Sequence, residues 1–404
     1  MPSSVLSSQI NLMDLQAWSD DAELGLLARL RREDPLHWSD LPDGDGFWSL
    51  TRYEDVRNGA TEARILSSAQ GTQIVSRKVE GHLQSLHNMD DPQHAPLRKV
   101  TIAHLRAVKV REWQEAIDAS VSTLIDDATA QQGAFDLVDV VSARLPMLVL
   151  ARVLGVPAED GPRMVDWTNR LTSADPDKSV DASELVHVRD ELLGYFKQLV
   201  EERRARPQED LITVLVQGKV EDRPLTWDEI AAYIILLVAA GNETTRQSLS
   251  GGTIALAAIP GSWQRLAKEE HLLGLTIEEM LRYVSPVGAM RRTASEDLEL
   301  HGQTVRAGEK VVLWFSAANR DPELFADPDT FVLDRTPNEH LTFGWGVHFC
   351  LGAHLARAEM ASFYRGMLDR GLTLEIAGTP ERLRHNIFRG WTNVPVTVQE
   401  LRHS

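Results

Sequence analysis

The stretch Phe343–Gly352 reads F-G-W-G-V-H-F-C-L-G, and its thiol, Cys350, is the only cysteine in 404 residues. A solitary thiol builds neither a disulfide nor a zinc knuckle, so its value has to come from its surroundings. Gly344, Gly346 and Gly352 supply backbone without side chains, as a loop needs where it bends through positive φ or lies against a flat ligand. From Leu351 the run L-G-A-H-L-A-R-A-E-M is rich in helix formers. That predicts Cys350 at a helix N-terminus, where unpaired N–H groups and the helix dipole favour a thiolate, a ready metal ligand. Two blander readings stand beside it. A lone cysteine also serves as a small buried hydrophobe, and His340, His348, Cys350 and His354 are types that zinc accepts. The zinc reading leaves Phe343 and the glycines without a role.

A second segment carries chemistry. Thr226 and Glu229 form a capping box and Leu225 can staple onto Ile230, so a helix begins there. No proline follows until Pro260. About 32 residues at 1.5 Å each give roughly 48 Å, and a compact chain of this length measures about 55 Å across. The helix therefore runs through the molecule. At its midpoint lies A-A-G-N-E-T-T-R, residues 239–246. An acid and two hydroxyls there contradict a dry core, because buried acids are costly without partners. Gly241 leaves room for a ligand, Thr244 offers a hydroxyl, and Glu243 can relay protons.

Phe343, Gly344, Gly346, His348, Cys350 and Gly352, continuing into Ala356 and Arg357, resemble the signature of the haem-thiolate monooxygenases known as cytochromes P-450. The resemblance extends over nearly the whole chain. It implies haem b with Cys350 as axial ligand, its thiolate pushing electron density that favours O–O cleavage, and Phe343, Gly344, Gly352 and Gly241 around the ring. His94, Arg98, Arg292 and His348 stand at the family's propionate-binding positions. Because Pro96 lies between His94 and Arg98, a late start or kink is expected in their helix. Glu243 and Thr244 match the family's acid–alcohol pair, with Thr244 able to hydrogen-bond dioxygen. In E-E-M-L-R, Glu279 and Arg282 match the family's structural pair, and Arg335 is the implied third member.

The activity implied is insertion of one oxygen atom from dioxygen into a C–H bond of an apolar small molecule such as a sterol, terpenoid or lipid. A natural-product tailoring hydroxylase or epoxidase is the alternative, and a non-catalytic haem-thiolate sensor or carrier is the alternative of another class. Val238, Ala239, Val287, Gly288, Ala289, Met290 and Phe388 fall where the family places substrate-pocket residues. The loop Ser173–Ser179 before a helix expected over Ser183–Arg206 corresponds to the family's lid. A single cysteine cannot hold an iron–sulfur cluster, so electrons are expected from a ferredoxin and its reductase.

Composition sets the frame. With 43% apolar and 25% charged residues, the chain reads as an ordinary globular protein. Helix formers dominate, giving a mainly α fold with a small β region, expected as a single cytochrome P-450 domain over residues 1–404. Strand signals occur at Gly46–Tyr53 and in L-E-L-H-G-Q-T-V-R-A-G-E-K-V-V-L, where Gly302 suggests a hairpin. The start lacks a signal-peptide pattern and Ile230–Ala240 is too short to span a bilayer, so a cytoplasmic location and no membrane partner are expected. A net charge of −17 argues against nucleic-acid binding. Against that trend Pro92–Arg111 contains no acid but has Arg98, Lys99, Arg106, Lys109 and Arg111, either a solvated helix face or a dock for an acidic electron donor.

Overall fold

The chain crosses its own core on one 31-residue helix, Trp227–Ala257. Its start is fixed locally. Thr226 Oγ1 accepts from the Glu229 N–H, and Glu229 Oε2 accepts from the Thr226 N–H at 2.8 Å. Leu225 and Ile230 are both buried beside this cap, as a hydrophobic staple requires. Arg223 pairs with both Glu229 oxygens, at 2.7 and 2.8 Å, and that hydrogen bonding holds the Glu229 carboxyl down at about 2.

The computed structural model describes residues 11–19, 22–41, 44–75, 83–172 and 182–401. The principal helices are α1 (Glu23–Glu33), α2 (Tyr53–Thr61), α3 (His94–Ile102), α4 (Gln114–Thr129), α5 (Leu145–Leu154), α6 (Gly161–Thr172), α7 (Ala182–Ala205), α8 (Trp227–Ala257), α9 (Leu272–Val284) and α10 (Ala353–Asp369). Around α8 pack α5, α6, α9 and α10. Their buried Leu, Ile, Val and Met side chains form one continuous core, each contributing about 1.5–3 kcal/mol on burial. The helix expected over Ser183–Arg206 is α7. The loop Ser173–Ser179, expected to act as a lid, lies outside the described residues.

Besides a short hairpin of Lys219–Val220 and Arg223–Pro224, the strands are β1 (Leu36–Asp40), β2 (Gly46–Leu50), β3 (Leu66–Ser67), β4 (Phe135–Asp136), β5 (Met290–Ala294), β6 (Leu298–Leu300), β7 (Gln303–Val305), β8 (Lys310–Leu313), β9 (Leu372–Ile376), β10 (Glu381–Arg382), β11 (Trp391–Asn393) and β12 (Pro395–Glu400). A five-stranded sheet runs β1-β2-β8-β5-β3, and a three-stranded one β9-β12-β4. The first sheet matters for the site, because Arg292 on β5 sits opposite Val311 of β8. The run expected as a strand to Tyr53 ends at Leu50. Tyr53 instead opens α2, where Asp321 Oδ2 accepts its N–H at 2.8 Å and satisfies one of the free donors of that first turn. The hairpin around Gly302 forms between β6 and β7. His301 and Gly302 both take positive φ, 50° and 74°, the geometry a two-residue hairpin turn favours.

Glu279 and Arg282 on α9 are fully buried. Arg282 Nε and Nη2 donate to the two Glu279 oxygens at 2.7 and 2.8 Å. Arg335 Nε lies 3.0 Å from each of those oxygens, and the Val332 N–H and Asn338 Nδ2 donate to the same carboxylate. The guanidiniums also reach the carbonyls of Asn319, Pro328, Thr330 and Ala326. One carboxylate thus ties α9 to the irregular segment that leads to the cysteine loop. No helix among the described residues is long and apolar enough to cross a membrane.

Candidate active site

One cavity opens between α8 and the Phe343–Gly352 loop. The loop is held by its own backbone: the Cys350 N–H donates to Phe343 O at 2.8 Å, Gly344 N–H to Leu341 O at 2.9 Å, and Phe349 N–H to Gly346 O at 3.1 Å. Gly346 takes φ 69°, and a Cβ there would come within 2.7 Å of Ala60 O, so only glycine fits between the loop and α2. Gly352 precedes α10, which begins at Ala353. Cys350 therefore lies at the head of that helix, its side chain opening onto the cavity yet deep within the protein. Burial pushes the Cys350 thiol up, against the opposing pull of the Gly352 N–H and of Arg98 and Arg357. A coordinated cation deprotonates a thiol outright.

On the loop's other side Arg357 stacks its guanidinium over the Phe343 ring at 4.3 Å and grips Glu278 with two hydrogen bonds of 2.6 and 2.7 Å. His340 reaches the same carboxylate at 3.2 Å. Burial opposes its charge, but the bonds from Arg357 and His340 hold Glu278 down at about 2. His340 is therefore engaged away from Cys350, and among the described residues no group of three or more His, Cys, Asp or Glu could hold a metal ion. The zinc reading has no support in this geometry.

His94, Arg98, Arg292 and His348 all line the cavity. The His94 and His348 rings lie 4.5 Å apart, and the Nε2 of each is buried without a partner. Burial lowers His348 to about 3, helped by the nearby Arg292 and His94, and burial lowers Arg292 to about 10. Arg98 donates to Phe349 O and Arg292 to Arg291 O. No ion pair joins either guanidinium to a carboxylate among the described residues, and nearby Asp90 is engaged by Ser67 and the Ser68 N–H. Crowded, desolvated donors without an anion fit a ligand that brings its own carboxylates. Two propionates on a flat ring, set over a sulfur donor, meet that demand. Pro96 causes no kink, because α3 begins at His94 and Pro96 falls in its first turn, where an N–H has no helical partner to lose. His94 and Arg98, four apart, therefore share the cavity face.

Across the cavity α8 presents Leu237, Ala240, Gly241, Thr244, Thr245 and Ser248, the i, i+3, i+4, i+7 stripe of one helix face. A Cβ on Gly241 would meet only Leu150, at 3.7 Å, so any larger side chain would project into the space. Thr244 Oγ1 donates to Ala240 O at 2.8 Å, leaving its lone pairs facing the cavity. Glu243 does not line the cavity. It is buried behind Thr244, its Oε1 accepting from Gln247 Nε2 at 2.6 Å and its Oε2 standing 3.7 Å from Arg246 Nη1.

The wall includes Val287 and Met290, with Leu86, Leu236 and Pro286 near them. Five residues expected there are absent from it. Val238 is buried in the helical core, and neither it nor Ala239 is on the stripe, since one residue on a helix turns the side chain by about 100°. Gly288 is tied through its N–H to Ile387 O at 2.6 Å. Ala289 is fully buried in a separate cluster against which Phe388 packs, and Phe388 instead bridges Val287. Among the lining residues that the sequence reading did not name, two carry ionisable side chains next to the site, His87 and Glu359. His87 bonds Ser85 Oγ through Nδ1 at 2.7 Å and is a polar group in a largely apolar wall. Glu359 on α10 is buried with Oε2 unpartnered, and burial raises it to about 8. The helical pattern of α10 marked position 359 as inward, which was the available signal.

A cytochrome P450 family model matches residues 50–377. The chain belongs to the cytochrome P450 family. P450 proteins bind haem b, and the donors described here are suited to it. A steroid C26-monooxygenase of Mycolicibacterium smegmatis is 33% identical over 97% of this chain and 93% of its own length. A methyl-branched lipid omega-hydroxylase of Mycobacterium tuberculosis is 36% identical over 98% and 96%, and a linalool 8-monooxygenase of Pseudomonas putida 32% over 92% and 95%. Among solved structures, a Mycobacterium marinum P450 in complex with pseudoionone superposes with a TM-score of 0.90 at 32% identity, covering 96% of this chain and 98% of that one. This chain is a P450 monooxygenase.

Proposed function

We propose that this P450 hydroxylates an apolar small molecule of the sterol, terpenoid or branched-lipid kind, drawing electrons from a ferredoxin and working in the cytoplasm. The observation that carries the reading is a cavity with Cys350 on one wall, Thr244 on the other and apolar side chains between. The relatives named for a steroid, a methyl-branched lipid and linalool support the same substrate class. Bound haem supplies the oxygen chemistry, in which dioxygen, two electrons and two protons convert a C–H bond to C–OH and release one water. Cys350 would hold the iron, and His94, Arg98, Arg292 and His348 would bind the propionates. Apolar side chains exclude water and orient the substrate by shape rather than by hydrogen bonds. Thr244 Oγ1 turns its lone pairs to the cavity while its proton rests on Ala240 O, so it would deliver a proton only by rotating that hydroxyl inward, and Glu243, one residue along, would resupply it.

Thr244→Ala tests this. Product formed per electron is expected to fall about 10–100-fold, with hydrogen peroxide accumulating in its place. Product yield unchanged by the substitution contradicts the assignment. A carrier or sensor would give no product with either protein.

For the electron donor, Lys99, Arg106 and Arg111 are exposed, and Val108 among them is 65% exposed. Lys109 is paired with Glu112. Arg98, also expected in this patch, turns inward to Phe349 O and the cavity, so the docking surface reduces to the outer four. Reversing Arg106 and Arg111 to Glu is expected to slow reduction by a ferredoxin about tenfold at low salt, the difference shrinking as salt rises. An unchanged reduction rate at low salt means the donor docks elsewhere.

A further inference from the structure

The short hydrogen bond to the Glu243 carboxylate comes from just outside its motif. Gln247, one turn along α8 and 0% exposed, donates from Nε2 to Glu243 Oε1 at 2.6 Å, while its Oε1 accepts the Trp391 N–H at 2.7 Å. A backbone N–H only donates, so Trp391 fixes the carbonyl end of the amide and leaves the NH2 end for the acid. The neighbouring backbone is shaped around this clamp. A Cβ on Gly390 would lie 1.9 Å from Gln247 Oε1, and a Cβ on Gly251 would lie 2.2 Å from the Trp391 ring. Strand β11 can approach α8 this closely only because both positions are glycine. On its other oxygen Glu243 has, among the described residues, only the long 3.7 Å contact with Arg246.

We infer that Gln247 is a positioning residue for proton delivery, clamping Glu243 between α8 and strand β11 so that its carboxyl is presented from one fixed direction. The inference rests on Glu243 serving as the relay acid. An amide suits the task because it does not ionise near neutral pH, so its donor end keeps the same sense whichever protonation state the acid occupies. One short bond and one long contact also leave Oε2 free to exchange a proton. A second carboxylate ligand as strong as the first would lock it.

The test uses the haem-loaded full chain with a surrogate ferredoxin and reductase, and as probe whichever of linalool, a methyl-branched fatty acid or a sterol gives the largest shift in haem absorption. Gln247→Met keeps the volume and removes both polar ends. It is expected to lower product per electron about tenfold, to raise the solvent deuterium isotope effect on kcat, and to leave probe affinity within about twofold. Combined with Glu243→Ala it should add no further loss, because the two act as one unit. Gln247→Asn, which is too short to reach both partners, is expected to fall between wild type and Gln247→Met, and it carries the test if Gln247→Met does not fold. Faster hydrogen exchange at the Trp391 amide reports loss of the clamp independently of turnover. Lower thermal stability with coupling and isotope effect unchanged would make Gln247 a structural bridge only and overturn the inference. Losses that multiply in the double variant overturn it too. If Glu243→Ala alone leaves coupling intact, the relay reading of Glu243 fails first, a result that needs no Gln247 variant.

Discussion

Cys350→Ser is expected to cut turnover by roughly 10³-fold or more, equivalent to about 4 kcal/mol of barrier, and to remove the thiolate signature from the absorption spectrum of the reduced carbon monoxide adduct. The loop should survive the change. Its hydrogen bonds run through the Cys350 N–H, Gly344 and Phe349 backbone groups rather than through sulfur, and serine is close to cysteine in volume. What is lost is the soft, electron-releasing donor that thiolate provides and an alcohol does not. The substitution therefore separates scaffold from chemistry, with haem expected to be retained through the donors proposed at His94, Arg98, Arg292 and His348 while oxidation fails. A serine variant within tenfold of wild type would remove Cys350 from the mechanism.

The second large effect concerns stability. Glu279→Ala is expected to cost about 3–5 kcal/mol, because it strands two buried guanidiniums that face each other across the missing carboxylate. Arg282 is fully buried and Arg335 nearly so, and neither can reach solvent without moving the segment that feeds the cysteine loop. Loss of haem should accompany or precede loss of helix in urea unfolding, since the tie between α9 and that segment fails first. A midpoint shift worth less than about 1 kcal/mol would place the network among marginal surface pairs instead.

Much of this architecture was legible because its determinants are local. The Thr226–Glu229 capping box, the proline-free run to Ala257 and the glycines around Cys350 each act within a few residues, so the central helix and the cysteine loop could be placed from sequence. The hairpin at Gly302 was legible for the same reason. The losses occur where a partner arrives from far along the chain. Tyr53 reads as part of a strand until Asp321 supplies its cap. Arg98 reads both as a propionate donor and as part of the basic patch until the Phe349 carbonyl turns it inward. Pocket residues on α8 were off by one position because periodicity fixes the spacing of a stripe but not which stripe faces the ligand, and Val238 and Leu237 are equally apolar. Phe388 and Ala289 depend on how the Val287–Phe388 bridge sets one segment against another. Gln247 was invisible because its second partner, Trp391, lies 144 residues away.

The most direct test of the account is turnover under isotopically labelled dioxygen, with a panel of sterols, terpenoids and methyl-branched lipids and a surrogate ferredoxin system, followed by mass analysis of the products. The account predicts that one of these apolar classes gains a single labelled oxygen atom, with the second recovered in water, and that Thr244→Ala diverts the same electrons to labelled peroxide. Binding of these compounds without any labelled product, while electrons still reach the haem, would contradict it and favour a carrier or sensor.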